Sequence, residues 1–467
     1  MTMLKYVSTR GLAPPCDFAG TVIDGIASDG GLFAPAQWPR LDVAAPGQGE
    51  SGYAALAQSL LEPFVGAALP EGALAAATRR VQDRVAHPLT VPLVEIAPDL
   101  FVLELFHGPT GAFKDLAMQL VAGLSEAALA QGGERLLLFT ATSGDTGAAA
   151  VNAFAGADRV DLVVLHPLDR VSPVQRMQMT TSGAPNVLNL AVRGDFDDCQ
   201  RLVKALLAEP GLKASRHVSS VNSINWARLA GQMPYYAAAA ATLGRSATYV
   251  VPTGNFGDAF AGWAARRCGL PVGGIVAATN RNDALVRALD TGIYERSQAR
   301  PTASVSMDVQ APSNFERLVF EASGRDADLT RGLFADFARD GRMSLPGDLL
   351  AALRREVTAV SVSEAETVEE MRRSWAENGR VICPHTAVAL HAARRVDRTA
   401  GPVVALSTAH PAKFPESVEA ALGFAPERPP QLEGLEGRTE RFEVVDATLE
   451  AVLAAIGQTI FASGRIT

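Results

Sequence analysis

From residue 101 onward, short apolar or β-branched runs alternate with segments of helical length, and this alternation constrains the fold more than any other feature. The runs FVLELF, RLLLFTA and DLVVLH are followed by helical patterns that begin near Lys114, Thr146 and Ser172. The pattern resumes with VLNLAV, a helix over DDCQRLVKALLAE, a long helix from about Asn225, ATYVVPT, a helix from about Asp258, and GIVAAT. Strands alternating with helices at this spacing require crossover connections, and crossovers build parallel sheets. The fold class is therefore α/β, a core over 96–320 with helices on both faces. Residues 1–95 carry Pro/Gly-rich turns (SDGGLFAP, AAPGQGESG), alanine-rich helical patterns and few polar clusters, and form an N-terminal domain without catalytic groups. Residues 321–380, rich in Arg, Glu and Leu, break the alternation and predict an added helical lobe. VVALST at 403–408 returns the chain to the sheet within a final segment, 381–467.

In a parallel sheet the loops at the carboxyl ends of strands bind ligands. Two such loops echo each other, FTATSGDTGAAA at 139–150 and YVVPTGNFGDAFAG at 249–262, each an apolar strand, a Gly-rich loop and an alanine-rich helix start. The glycines of TGNFGD let the backbone approach an anion, and the next helix points its first N–H groups at it, so the loop suits a phosphate or serves as a tight connection. It matches neither nucleotide-binding glycine pattern. TSGDTG is either an N-cap with its turn or a cradle for a carboxylate. Lys114 follows FVLELF and a Gly-Pro-Thr-Gly turn. A lysine at a helix start is ordinarily solvent-exposed, but here it falls at a strand's carboxyl end beside a helix N-terminus that disfavours positive charge. An amine of lowered pKa is a nucleophile suited to a carbonyl. Together with a phosphate-binding glycine loop, it points to pyridoxal phosphate.

Other chemistries fit less well. The 42 Lys and Arg against 50 Asp and Glu give a net charge of -8, with no basic block to track nucleic acid. No stretch is apolar for long enough to span a bilayer and the start lacks a leader pattern, so no membrane partner and a cytoplasmic location are expected. Cys16, Cys199, Cys268 and Cys383 stand alone, and the histidines form no HExxH, so no disulfide framework and no metal site are expected.

The segments FHGPTGAFKD, TATSGDTGAAA, NSINWARLAGQ, PTGNFGDAFAG, SNFERLVFE and STAHPAKFPES, in this order, resemble the longer subfamily of threonine synthases, as do STRG and IASDGGLFAP near the start. The resemblance implies the pyridoxal-phosphate fold type II, its core in two lobes with the smaller at about 130–240. It implies that Lys114 carries the cofactor, that Gly254, Asn255, Phe256, Gly257 and Asp258 hold its phosphate, and that Thr408 meets its ring nitrogen. Thr142, Ser143, Asp145 and Thr146 would face the substrate's amino-acid group, and Asn225 and Arg228 its phosphate. Ser407 and Thr408 point to opposite strand faces, so only one can serve the ring. Gly111 stands where relatives are expected to carry a bulkier apolar residue. The implied reaction is a carbon–oxygen lyase reaction, turning O-phospho-L-homoserine and water into L-threonine and phosphate, by a monomer or homodimer. The alternatives are a phospho-lyase releasing a keto acid, ammonia and phosphate, and a pyridoxal-phosphate-binding homologue without turnover.

Overall fold

The alternation resolves into two parallel-rich sheets in a computed structural model that describes residues 3–41, 52–132 and 135–461. Residues 44–51 of the AAPGQGESG stretch lie outside the described residues. The larger sheet has the spatial order Thr358–Ser361, Val272–Thr279, Ala247–Pro252, Val403–Ser407, Leu100–Glu104 and Leu93–Ala97. Its first five strands are parallel and only the edge strand Leu93–Ala97 is antiparallel. VVALST thus returns to the sheet as a central strand, between Ala247–Pro252 and Leu100–Glu104. The smaller sheet is wholly parallel, in the order Glu443–Asp446, Val187–Arg193, Val160–Pro167, Leu136–Ala141 and His217–Ser220.

Local chemistry explains these elements. All eight residues of VDLVVLHP are buried, which is why this strand reads as a continuous apolar run: parallel strands are covered on both faces. Ser172 caps the helix Pro173–Thr180 with a proline in its first turn, and capping boxes at Asp195/Asp198 and Ser363/Glu366 start two more helices. Two expectations are corrected. The long helix from about Asn225 is two helices, Trp226–Ala230 and Met233–Leu243, because Pro234 cannot donate a helical hydrogen bond and starts a new N-terminus. Nor is 321–380 purely helical. It contains the strands Arg342–Ser344 and Thr358–Ser361, and the second extends the larger sheet beside Val272–Thr279. Four residues between charged helices carry too short a period to be recognised. No helix among the described residues is long and apolar enough to cross a membrane.

The N-terminal region is stapled to the core by buried polar groups. Arg317 is 0% exposed; its Nε donates to Phe33 O at 2.8 Å and its Nη2 to Ile224 O at 2.6 Å, while Nη1 donates to Asn314 Oδ1. Burial pushes its pKa down to about 9. The neighbouring Glu316 accepts from Thr9 Oγ1 at 2.7 Å and pairs with Arg10 at 2.9 Å, so the STRG segment is a structural anchor. Arg80, on the helix Ala73–Asp83, reaches Gln119 at 3.1 Å and Glu126 at 3.2 Å on the helix that begins at Lys114.

Truncating Arg317 to Met leaves buried carbonyls without a donor, at about 1–3 kcal/mol for each group. We expect Arg317→Met to lower the denaturant midpoint markedly and to make the N-terminal strand Tyr6–Ser8 more protease-sensitive. Both are read directly from unfolding and limited-proteolysis curves, and an unchanged midpoint would contradict the staple.

Candidate active site

Lys114 opens the helix Lys114–Gly132, and the turn before it is shaped by the next residue. The buried Asp115 carboxylate accepts from Thr110 N at 2.9 Å and Thr110 Oγ1 at 2.7 Å, closing the Gly-Pro-Thr-Gly turn on itself. Gly111 has a φ of 71°, a conformation that strains any residue with a Cβ, so glycine leaves this turn relaxed. Phe113 N then donates to Thr408 O at 2.8 Å, tying the turn to the end of the adjacent strand. Burial lowers the Lys114 pKa; Asp145 opposes this, while Arg228 and Lys413 add to it.

Asp145 begins the helix Asp145–Phe154 on the other sheet and is 3% exposed. Its Oδ2 accepts from Lys114 Nζ at 3.2 Å and Ser306 Oγ at 3.3 Å. Its Oδ1 accepts from Gln175 Nε2 at 2.8 Å. Burial acts to raise the carboxyl pKa, but Lys114 and Lys413 outweigh it and hold the group well below the ordinary range. In the same loop Thr142 Oγ1 accepts the N–H groups of Gly144 and Gly147, both at 2.9 Å. This is the capping geometry, and it still leaves the hydroxyl proton free to donate.

The third loop, TGNFGD, precedes the helix Gly257–Arg267. Phe256 has a φ of 60°, unusual for an aromatic residue, and the turn it makes leaves the N–H groups of Gly254, Asn255, Phe256 and Gly257 without an acceptor among the described residues. A Cβ on Gly254 would lie 2.6 Å from Ser306 O, so only glycine permits this approach. Asn314, from SNFERLVFE, clamps the loop by donating from Nδ2 to Asn255 O at 3.1 Å and Ser223 O at 3.2 Å. Asp258 turns its carboxyl to Tyr235 OH at 2.5 Å and Tyr236 OH at 2.8 Å, and burial raises its pKa to about 6. Its side chain thus serves the tyrosines, leaving backbone N–H groups to face an anion.

These loops and the end of the strand Val403–Ser407 line one cleft. Lys114, Thr142, Ser143, Asp145, Thr146, Gly254, Asn255, Phe256, Gly257, Asp258, Arg228 and Thr408 all border it; Asn225 does not. The Asn225 side chain is spent on a cap, accepting from Ala227 N at 2.9 Å, and on a bond to Val22 O at 3.3 Å. Ser407 is likewise engaged elsewhere, with Thr386 Oγ1 at 2.9 Å, whereas Thr408 faces the cleft. Arg228 is 3% exposed; one nitrogen donates to Val221 O at 2.8 Å, its Nε has no partner among the described residues, and burial lowers its pKa to about 10. Sequence reasoning missed Ser306 and His385. His385 accepts from Ser306 N at 3.1 Å, and burial lowers its pKa to about 4, so it is neutral near pH 7. Neither sits in a recognisable motif.

The wall fits pyridoxal phosphate. A buried amine stands in the same cleft as a glycine loop with unclaimed N–H groups, and the unpartnered Arg228 Nε offers a further donor for an anion.

The chain matches the family model for pyridoxal-phosphate dependent enzymes over residues 90–408, and the models for the threonine synthase N terminus over 5–81 and C-terminal region over 386–456. It is 42% identical over 462 residues to a threonine synthase of Pseudomonas aeruginosa, covering 97% of this chain and 98% of that one. The crystal structure of a pyridoxal-phosphate-bound threonine synthase from Brucella melitensis superposes with a TM-score of 0.92 at 43% identity, over 98% of this chain and 99% of that one. Yeast threonine synthase gives 0.90 at 33% identity, over 98% of this chain and 99% of that one. The two parallel-rich sheets are thus those of pyridoxal-phosphate fold type II, and the chain belongs to the threonine synthase family of pyridoxal-phosphate dependent enzymes.

Proposed function

We propose that this chain converts O-phospho-L-homoserine and water to L-threonine and phosphate, with Lys114 as the catalytic residue. The observation that carries the reading is a buried Lys114 amine, 3.2 Å from Asp145, in the cleft that also holds the open N–H groups of residues 254–257. Pyridoxal phosphate, when bound, supplies a carbonyl for an amine and a ring that draws electrons from the substrate's Cα. Gly254, Asn255, Phe256 and Gly257 hold its phosphate through backbone N–H groups, and Thr408 offers a neutral hydroxyl to its ring nitrogen.

The chain's own groups then divide the work. Lys114 takes the proton from Cα and later moves a proton at Cβ, a task suited to an amine whose pKa burial has lowered. Asp145 holds that amine in place. Ser143 and Thr146, with the hydroxyl proton of Thr142, donate to the substrate carboxylate. Arg228 anchors the substrate phosphate, so that Cγ, from which it leaves, is fixed over the cleft.

Product analysis tests the reaction. The purified protein should release threonine and phosphate in equal amounts from O-phospho-L-homoserine; a keto acid and ammonia in place of threonine would mark it as a phospho-lyase. Lys114→Ala should remove covalent cofactor attachment and lower turnover by at least about two to four decades, the usual worth of a positioned acid–base group. Full turnover in that variant, without added amine, would overturn the assignment. Arg228→Ala should retain the cofactor and lose about one to two decades in kcat/KM, because a charge-assisted hydrogen bond is worth about 1.5–3 kcal/mol. Wild-type kcat/KM in a folded, loaded variant would remove Arg228 from the phosphate site.

A further inference from the structure

Lys413 is 0% exposed, and no step of the proposed reaction uses it. It ends the short turn Pro411–Lys413 that follows the strand Val403–Ser407, and its Nζ meets three oxygens. These are Thr110 O at 2.6 Å, Gln178 Oε1 at 2.9 Å and Asp145 Oδ1 at 3.1 Å. The first two are neutral acceptors; the third belongs to the carboxylate that holds Lys114. Asp145 therefore stands between two ammonium groups, Lys413 on Oδ1 and Lys114 on Oδ2. The sequence makes the pairing more pointed, since the chain has only five lysines among its 42 basic residues and two of them meet here.

We propose that Lys413 is a positioning residue, the permanent counter-cation that keeps Asp145 ionised and aimed at Lys114 while Lys114 gives up its own charge. The inference rests on the reading of Lys114 as the amine that joins the cofactor and moves protons. An amine acting as a base is neutral for part of each cycle. If Lys114 were the sole cation, Asp145 would at those moments be a buried carboxylate without a counter-charge, and such a group takes up a proton. The other groups that face Asp145 cannot replace Lys413. Gln175 and Ser306 are neutral donors, His385 is neutral at ordinary pH, and Cys383 carries no positive charge. Arg228 bears on Lys114, and Asp115 and His410 bear on Lys413 from its other sides. A purely structural role is the competing account, because Lys413 also ties the turn at Thr110 to residues 411–413.

Isotope-edited infrared spectra of the full-length Lys114→Ala protein separate the two, with the Asp145 carboxylate band identified by its loss in Lys114→Ala/Asp145→Asn. We expect Asp145 to stay ionised from pH 5 to 8 in Lys114→Ala. Adding Lys413→Gln, which keeps a donor but loses the charge, should raise its apparent pKa by at least about one unit, a tenfold gain in proton affinity. Lys413→Arg should restore the ionised band. The same Asp145 titration in Lys114→Ala with and without Lys413→Gln, whatever happens to the melting temperature, overturns the proposal. Should Lys413→Gln fail to fold, Lys413→Met, which keeps the volume of the stem without the charge, takes its place in the same Asp145 titration, and an Asp145 band unchanged from Lys114→Ala there overturns the proposal as well. Neither measurement uses turnover, so this inference can fail while the catalytic assignment of Lys114 stands, and the reverse.

Discussion

Parallel pairing of Leu100–Glu104, Val403–Ser407 and Ala247–Pro252 brings three carboxyl ends side by side, and the turns that follow must share one edge of the sheet. Lys114, Thr408 and the 254–257 loop come together through this constraint, although about 290 residues separate the first from the second. The bond from Phe113 N to Thr408 O and the isolated bridge between Ala112 and Ala409 continue the pairing past the strand ends, so the amine-bearing turn is held as firmly as the sheet itself. The smaller sheet supplies the opposite wall through its own carboxyl edge, where Asp145 sits. The two walls meet at their most polar point on the Asp145 carboxylate, which pairs with Lys114 and Lys413 and accepts from Ser306. Removing two charges from water is costly, and an apolar pair of the same volume commonly stabilises a core as well or better. The ion pair therefore makes more sense as chemistry than as stabilisation.

A second line of control runs from the N-terminal region, none of whose described residues borders the cleft. The start of the helix Phe315–Ala322 faces both ways: Asn314 clamps the glycine loop, while Glu316 and Arg317 grip Thr9, Arg10 and Phe33. The loop conformation includes Phe256 in the left-handed region, which costs an aromatic residue on the order of 1–3 kcal/mol and persists only where the surroundings impose it. Packing from the N-terminal side and the Asn314 clamp together supply that imposition.

Much of this was legible in the sequence, and the exceptions have physical causes. Alternation revealed the sheets because parallel strands buried on both faces leave unbroken apolar runs such as RLLLFTA. The strand Thr358–Ser361 escaped because four residues at a sheet edge show no such run. Thr142 was read as either a cap or a cradle, and the capping bonds are present while its hydroxyl proton stays free. Asn225 shows the limit of motif reasoning: it lies in NSINWARLAGQ beside Arg228, yet one side chain caps the helix and the other borders the cleft. Asn225 is the N-cap, in extended backbone outside the helix, so the i, i+3 spacing that puts helical residues on one face does not apply to this pair, and the family resemblance alone could not distinguish them. Lys413 stands within STAHPAKFPES, but burial of a lysine leaves no periodic trace, so the motif gives it no role. Its one signal was rarity in a chain that otherwise favours arginine.

The order of strands also has a consequence for how the chain is made. The centre of the larger sheet is Val403–Ser407, and the edge strand Glu443–Asp446 completes the smaller one, in a chain of 467 residues. During synthesis Leu100–Glu104 and Ala247–Pro252 leave the ribosome long before the strand that must separate them, and Val187–Arg193 waits some 250 residues for its outer neighbour. Both sheets therefore carry open, apolar edges until these strands emerge, the condition under which nascent chains pair wrongly or recruit chaperones. Placing Val403–Ser407 at the heart of one sheet and Glu443–Asp446 at the rim of the other makes completion of both sheets, and of the cleft between them, wait on these two late strands.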